Sequence, residues 1–318
     1  MRALITGITG FAGGFLAQVL LDRADEVFGV SRWRRHGLEH LNPEVVPLTT
    51  DLRDPTVVDN ILNDIRPDVI YHLAGQAFVP TAWADPWATL ENNLRPQLNI
   101  LQAMVQQRSQ ARLLVVASNQ AYGHTKEEEL PITEDTPFRP DNPYGVSKAA
   151  QDMLALQYYL SHGLDIVRAR AFNHIGPRQN ASFVAASFAK QIAEIEAGLV
   201  EPTLNVGNLE AQRDFTDVQD VVRAYALLVE RGQSGEAYNV GTGQAHSIQY
   251  LLDVLLSFSA TDIEVRRDEG RLRPSDVPLI YADSSKLKST TGWEPTYTLE
   301  ASLQRILDYW RDKIRGGL

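Results

Sequence analysis

The sequence predicts an α/β fold: a doubly wound parallel sheet with a smaller α/β lobe in the C-terminal half. Three observations predict it. Short apolar runs alternate with longer amphipathic stretches through the first half of the chain, the pattern of βαβ units around a parallel sheet buried on both faces. A glycine-rich turn follows the first of those runs and opens a helical stretch. After about residue 172 the loops lengthen and the strict alternation stops.

Ala3 to Thr6 is the first expected strand, followed by a helix from Phe15 to Arg23 and a second strand from Glu26 to Val30. Asp68 to Leu73, Arg112 to Ala117 and Asp165 to Arg170 supply three more strands, and a helical pattern spans Pro96 to Gln107. Ala237 to Gly241 predicts a strand that returns to the first unit. The expected division is therefore interleaved. Residues 1–172 with about 216–242 form a dinucleotide-binding domain, and about 173–215 with 243–318 form a substrate lobe. No internal repeat or low-complexity tract interrupts this order.

The chain has 318 residues, enough for about two domains. A hydrophobic content of 44% with 22% charged residues excludes wholesale disorder. The cysteine count is zero, which excludes a disulfide scaffold, a Cys-ligated zinc site and a thiol nucleophile. Forty acidic residues against thirty Lys and Arg give a net charge of −10, which argues against nucleic acid or an anionic membrane as partner. No apolar run is long enough for a transmembrane helix, and the first residues lack the pattern of a secretory signal. A cytoplasmic location is expected. His36, His40 and His72 have no metal-ligand spacing, so no metal is predicted.

The turn Gly7-Ile8-Thr9-Gly10-Phe11-Ala12-Gly13 has strand before it and helix after it. That context suits close backbone approach to a pyrophosphate resting on exposed helix N–H groups. Gly7, Thr9, Gly10, Phe11, Ala12 and Gly13 are the expected cofactor residues of a Rossmann-type domain. An NAD site calls for a carboxylate at the end of the second strand, to bind the free ribose hydroxyl. Here the strand runs into Ser31-Arg32-Trp33-Arg34-Arg35. Arginine there matches a 2′-phosphate, so NADP(H) is predicted over NAD(H), with Arg32 and Arg35 as phosphate ligands.

Tyr144 and Lys148 stand four apart in Tyr-Gly-Val-Ser-Lys, so a helix would present both on one face. A phenol titrates near ~10 and is a poor acid–base group unless a nearby ammonium stabilises its phenolate. Ser118 ends the fourth apolar run, where its hydroxyl can donate to a substrate carbonyl. These three are the expected catalytic residues.

Together the Gly7–Gly13 loop, Asp51-Leu52, Leu73-Ala74-Gly75, Ser118, Tyr144 and Lys148 resemble the extended short-chain dehydrogenase/reductase family over essentially the whole chain. The segment Arg170 to Arg178 resembles the substrate-binding turn of its nucleotide-sugar enzymes, and Gly207 to Val218 and Arg273 to Pro278 are similar to its GDP-mannose branch. The resemblance implies that Asp51, Leu52, Leu73, Ala74, Gly75, Tyr144 and Lys148 line the cofactor. It implies that Gln76, Ser118, Asn119, Gln120, Asn173, Arg178, Arg213 and Arg273 meet a GDP-sugar, with Arg213 and Arg273 on the diphosphate. It also implies a homodimer through a four-helix bundle, from helices near 94–108 and 146–162. Dehydratases of this branch carry a glutamate two residues before the tyrosine of a Tyr-Gly pair. That position is Gln120, so their general base is missing. The epimerising reductases use a cysteine, which this chain lacks. The implied activity is NADPH-dependent reduction of the C4 keto group of a GDP-4-keto-6-deoxy-hexose, to GDP-D-rhamnose or its C4 epimer. A dehydratase or epimerase of the same family is the alternative.

Overall fold

In the computed structural model β1 (Arg2–Thr6) is buried from Ala3 onward, leads through the glycine turn into α1 (Gly13–Leu21), and pairs in parallel with β2 (Glu26–Ser31). Residues 1–32, 40–271 and 277–316 are described. β3 (Val46–Thr49) pairs outside β2 at the sheet edge. It is mostly exposed and carries Pro47, a residue tolerated on an edge because it has no N–H to donate. The apolar periodicity did not single it out for that reason. There follow α2 (Pro55–Ile65), β4 (Val69–His72), α3 (Val79–Ala84), α4 (Pro86–Gln106), β5 (Arg112–Ser118), α5 (Pro143–His162) and β6 (Ile166–Ala171).

Past β6 come β7 (Asn173–Ile175), α6 (Val184–Glu196), β8 (Thr203–Val206), β9 (Gln212–Asp217), α7 (Val218–Arg231) and β10 (Ala237–Val240). The chain closes with β11 (Ala245–Ser247), α8 (Ile248–Ser257), β12 (Glu264–Arg267), β13 (Leu279–Ile280), α9 (Ser285–Thr291) and α10 (Leu299–Arg315). One seven-stranded sheet runs in the order β10-β6-β5-β4-β1-β2-β3, and every pairing in it is parallel. β10 is the returning strand that the sequence predicted. The order reverses between β1 and β4, so a crevice opens at their C-terminal ends, where ligands of doubly wound sheets bind.

Helices cover both faces of this sheet. Leu16 and Leu20 of α1 pack with Val221, Val222 and Leu228 of α7 on one face. On the other, Val58 and Leu62 of α2 pack with Ile100 and Met104 of α4 and Ala155 and Tyr158 of α5. Burying side chains of this size stabilises by about 1.5–3 kcal/mol each, which holds α7 to the sheet although it follows β9 in sequence. A separate core joins α6, α8 and α10 through Phe188, Ile192, Leu252, Leu255, Leu303 and Trp310. Leu287 and Trp293 belong to the first core, so the stretch around α9 packs on the large sheet rather than in the smaller lobe.

The helix expected from Pro96 begins ten residues earlier, at Pro86, behind the Asp85 cap whose side chain accepts from the Ala88 N–H. Pro96 lies inside α4. A helix-internal proline deprives the preceding turn of a donor. The carbonyl that loses it is that of Asn92, four residues back; the Gln151 side chain on α5 donates to its neighbour, the Asn93 carbonyl, at 2.9 Å and ties the two helices together at this point. Among the described residues no helix is long and apolar enough to cross a membrane.

Candidate active site

The glycine turn is shaped by three close approaches. Gly7 has φ 74°, and a Cβ there would lie 2.8 Å from the Ala74 nitrogen. The end of β1 therefore presses against Leu73-Ala74, at the end of β4. The Gly7 and Ile8 N–H groups donate to the Val30 carbonyl at 2.9 and 3.1 Å, which pins the turn to β2. A Cβ on Gly13 would lie 2.5 Å from the Ile8 oxygen and drive α1 off the turn. α1 has no side-chain cap, and the first N–H groups of a helix lack intrahelical acceptors. Those donors, at the positive end of the helix dipole, make a cradle that fits a dinucleotide pyrophosphate. Thr9, Gly10, Phe11 and Ala12 form its partly exposed rim.

Arg32 lies just past β2. Its Nη2 donates to the Asn92 Oδ1 at 2.6 Å, and its Nε is 3.7 Å from Asp51 Oδ2. Asp51 is gripped by Arg53, whose Nε and Nη2 donate to its oxygens at 3.0 and 2.7 Å. That fork holds the Asp51 carboxyl below the usual carboxylate range. Leu52 is buried, and its carbonyl accepts from Asn99 at 2.8 Å. Arg34 and Arg35 lie outside the described residues.

Tyr144 and Lys148 share a face of α5 because the helix begins where it does. The Asn142 side chain accepts from the Gly145 N–H at 2.9 Å, and Pro143 takes the first helical position. This cap was legible in Asn-Pro before the tyrosine, but it was not singled out. Gly145 lets the helix start touch the Ser118 loop, since a Cβ there would lie 2.4 Å from the Gln120 oxygen. Ser118, Tyr144 and Lys148 are all buried. Burial pushes the Tyr144 phenol up to about 12, and its hydrogen bond with Ser118 pulls the other way. Burial lowers Lys148 to about 8. The Lys148 Nζ donates to the Val116 carbonyl at 2.9 Å and lies 6.0 Å from the centre of the Tyr144 ring.

Behind this set is a polar network that sequence reasoning missed. Asn93 donates to Ser147 Oγ at 2.8 Å and to the Gln76 carbonyl at 3.1 Å, and accepts from the Gln76 N–H at 2.7 Å. It ties α4, α5 and the Gly75 turn together. A Cβ on Gly75 would lie 3.0 Å from Asn93 Oδ1 and 3.7 Å from Lys148 Nζ. His72 and Thr6 are buried and joined by a 2.8 Å hydrogen bond. Thr6 also accepts from the Ala74 N–H at 3.2 Å, and one proton is shared between Thr6 Oγ1 and His72 Nδ1. Burial and the Lys148 charge lower His72 to about 3, which keeps it neutral.

On the substrate side, Asn119 Nδ2 donates to Asn173 Oδ1 at 3.4 Å, and the Ser118 hydroxyl donates to Asn119 at 3.3 Å. Gln120 Oε1 accepts from Asn142 at 3.0 Å. Gln76 Oε1 is buried without a hydrogen-bond partner. Asn119 and Gln120 adjoin Ser118, and Gln120 is tied through Asn142 to the start of α5. Arg178 is placed elsewhere: its guanidinium lies 3.9 Å over the Phe15 ring of α1 and donates to the His40 carbonyl at 3.4 Å. Arg213, on β9, donates to the Gln212 carbonyl at 2.8 Å. Arg273 lies outside the described residues. Among the described residues no three His, Asp or Glu side chains gather as a metal site would require.

A family model described as GDP-mannose 4,6 dehydratase matches residues 4–306. The chain belongs to that family. The GDP-6-deoxy-D-mannose reductase of Pseudomonas aeruginosa is 38% identical to this family member over 314 residues, 99% of this chain and 98% of that protein. The structure of RMD from Pseudomonas aeruginosa complexed with NADPH matches with a TM-score of 0.84 at 35% identity, covering 98% of this chain and 100% of that one. The UDP-glucose 4-epimerase of Thermotoga maritima, solved with UDP-glucose, matches with a TM-score of 0.91 at 27% identity, over 99% and 100% of the two chains. The family assignment agrees with the resemblance carried by the glycine turn and the Ser118, Tyr144 and Lys148 positions.

Proposed function

We propose that this chain is an NADPH-dependent oxidoreductase that reduces the C4 keto group of a GDP-4-keto-6-deoxy-hexose, giving GDP-D-rhamnose or its C4 epimer. The observation that carries this reading is a complete Ser118–Tyr144–Lys148 set beside an amide, Gln120, where a dehydratase needs a base. The Gln120 oxygen is already occupied by Asn142, and an amide does not accept a proton at neutral pH.

NADPH, when bound, supplies the hydride to C4. The chain's residues bind, polarise and protonate. The glycine turn and α1 would hold the pyrophosphate, and Arg32 would face the 2′-phosphate, the role expected also of Arg35, which lies outside the described residues. Ser118 donates to O4, where negative charge develops. Burial keeps the Tyr144 phenol protonated at neutral pH, the state a reduction requires, and Tyr144 gives that proton to O4. The Lys148 ammonium then stabilises the phenolate. Asn173, Asn119, Gln120 and the unpaired oxygen of Gln76 would line the sugar, and Arg213 would take the diphosphate, the role expected also of Arg273, which lies outside the described residues.

The test is a substrate panel. NADPH absorbance should fall on adding GDP-4-keto-6-deoxy-mannose, and GDP-mannose with cofactor should yield no 4-keto product. Formation of that 4-keto product would replace the reductase with a dehydratase.

A homodimer through α4 and α5 belongs to the same proposal. Val146, Met153 and Leu160 recur every seven residues on α5 and are 42%, 55% and 71% exposed. An apolar stripe at that spacing suits a helical seam. Light scattering should find a dimer for the wild type and a monomer for Met153→Glu with Leu160→Glu; a variant that stays dimeric removes this seam from the interface. The topology supports a domain division of 1–172 with about 216–242 against about 173–215 with 243–318, save that the α9 stretch packs with the first. A cytoplasmic location, where NADPH and charged sugar nucleotides are at hand, completes the reading.

A further inference from the structure

We infer that Arg53 is a further guanidinium for the 2′-phosphate of NADPH, beyond those expected from the β2 loop, and sets the preference of this chain for NADPH over NADH. The inference rests on the NADPH reading above. Arg53 was not among the residues marked from sequence, because it lies beyond β3 rather than β2.

The strand register brings it to the site. β3 pairs beside β2, with Thr49 opposite Ser31. The Thr50 N–H donates to the Ser31 carbonyl at 2.8 Å, which extends the pairing past the ladder. Arg32 and the turn carrying Asp51 and Arg53 therefore leave the same edge of the sheet side by side, next to the glycine turn. One oxygen joins them: Asp51 Oδ2 is 2.7 Å from Arg53 Nη2 and 3.7 Å from Arg32 Nε. Arg53 Nη1 is also 3.6 Å from Glu91 Oε2, on α4.

Charge decides what this cluster does. A phosphate monoester carries about −1.5 to −2 at neutral pH. Asp51 and Glu91 are two carboxylates near the place where it would arrive, and both repel it. Arg53 stands between them and touches each. Its side chain is 37% exposed, as is that of Asp51 at 36%, so the fork faces water and can turn to a phosphate. Removing Arg53 has two consequences of one sign. The phosphate loses a bidentate donor, and the two carboxylates are left without their counter-charge. NADH has no 2′-phosphate and meets neither effect. The consequence is therefore selective for the phosphorylated cofactor, unlike a general loosening of the adenosine site.

The experiment titrates the full-length protein with NADPH, NADH and 2′,5′-ADP, by calorimetry or tryptophan fluorescence. Arg53→Gln should weaken NADPH and 2′,5′-ADP by about 10- to 100-fold, the range of a charged hydrogen bond, with NADH nearly unchanged. Glu91→Gln should shift the balance the other way, tightening NADPH relative to NADH. Equal weakening of NADPH and NADH by Arg53→Gln would mean that Arg53 acts only through Asp51 on the shared adenosine, and would overturn the inference. No change in either cofactor would overturn it too. A wild type with no preference for NADPH would sink the cofactor reading itself, and this inference with it. A wild-type preference that survives Arg53→Gln would sink the inference alone.

Discussion

Tyr144→Phe should lower kcat for carbonyl reduction by about 10²- to 10⁴-fold, the usual worth of a positioned general acid. The substitution removes one hydroxyl from a ring that is buried against the start of α5, so the packing is kept. The oxygen lost is the one hydrogen-bonded to Ser118. Hydride arriving at C4 leaves charge on O4, and without the phenol that charge must wait for water in a closed site. KM for the sugar nucleotide should change far less than kcat, since the proton moves only in the transition state. The check is steady-state kinetics with NADPH and a GDP-4-keto sugar, together with a binding titration showing that NADPH is still held. A variant that keeps a tenth of the wild-type kcat would remove Tyr144 from the chemistry. The pH dependence has a worked sign. The reaction needs phenol and ammonium together; burial raises the first to about 12 and lowers the second to about 8. Reduction by the wild type should therefore weaken as pH rises through about 8, when Lys148 loses its proton, rather than near the titration of the tyrosine.

The parts of the fold that were legible are those whose residues answer to one local rule. β1, β4 and β5 are buried and read as largely apolar runs, and β6 is just as buried because its Arg168 and Arg170 are paired with Asp152 of α5. The glycine turn was legible because Gly7 and Gly13 have no room for a side chain. β3 was not, since a mostly exposed edge strand with a proline has neither the apolar run nor the alternation. α4 starts before the expected position because Pro96 itself resembles a helix start, whereas Pro96 lies within the helix and the α5 that packs on it comes far along the chain. The same distance in sequence hid part of the site. Asn93, Ser147 and Gln76 meet only when α4 is laid against α5. Arg178 follows a substrate-type turn in sequence, yet that turn folds back so that its guanidinium rests on Phe15 of the cofactor helix.

Lys148→Met should abolish reduction and make the protein more stable at neutral pH. The amine is buried and its side chain is 6% exposed. Burial moves its pKa from 10.5 to about 8, which corresponds to about 3 kcal/mol between the two protonation states. Below pH 8 the amine is charged in both the folded and the unfolded chain, and the folded state carries that cost in full. Between 8 and 10.5 the unfolded chain binds the additional proton, so the cost shrinks as pH rises and is gone above 10.5. Methionine fills similar space without a charge. Against this stands the hydrogen bond from Nζ to the Val116 carbonyl at 2.9 Å, whose loss costs about 1 kcal/mol. The net gain is about 1–2 kcal/mol at pH 7, or roughly 2–8 °C in Tm for a domain of this class. Thermal or urea melts of wild type and variant at pH 7 and above pH 10.5 provide the check. The difference should favour the variant at pH 7 and reverse to the small cost of the lost hydrogen bond at high pH. A variant that is less stable at pH 7, or a difference indifferent to pH, would show that the charge of Lys148 is matched inside the protein. The expected pairing of higher stability with lost activity is the mark of a group retained for chemistry at a cost to the fold. A charge held there with no carboxylate paired to it among the described residues has its use when substrate and cofactor complete the site, where the phenolate of Tyr144 becomes its partner.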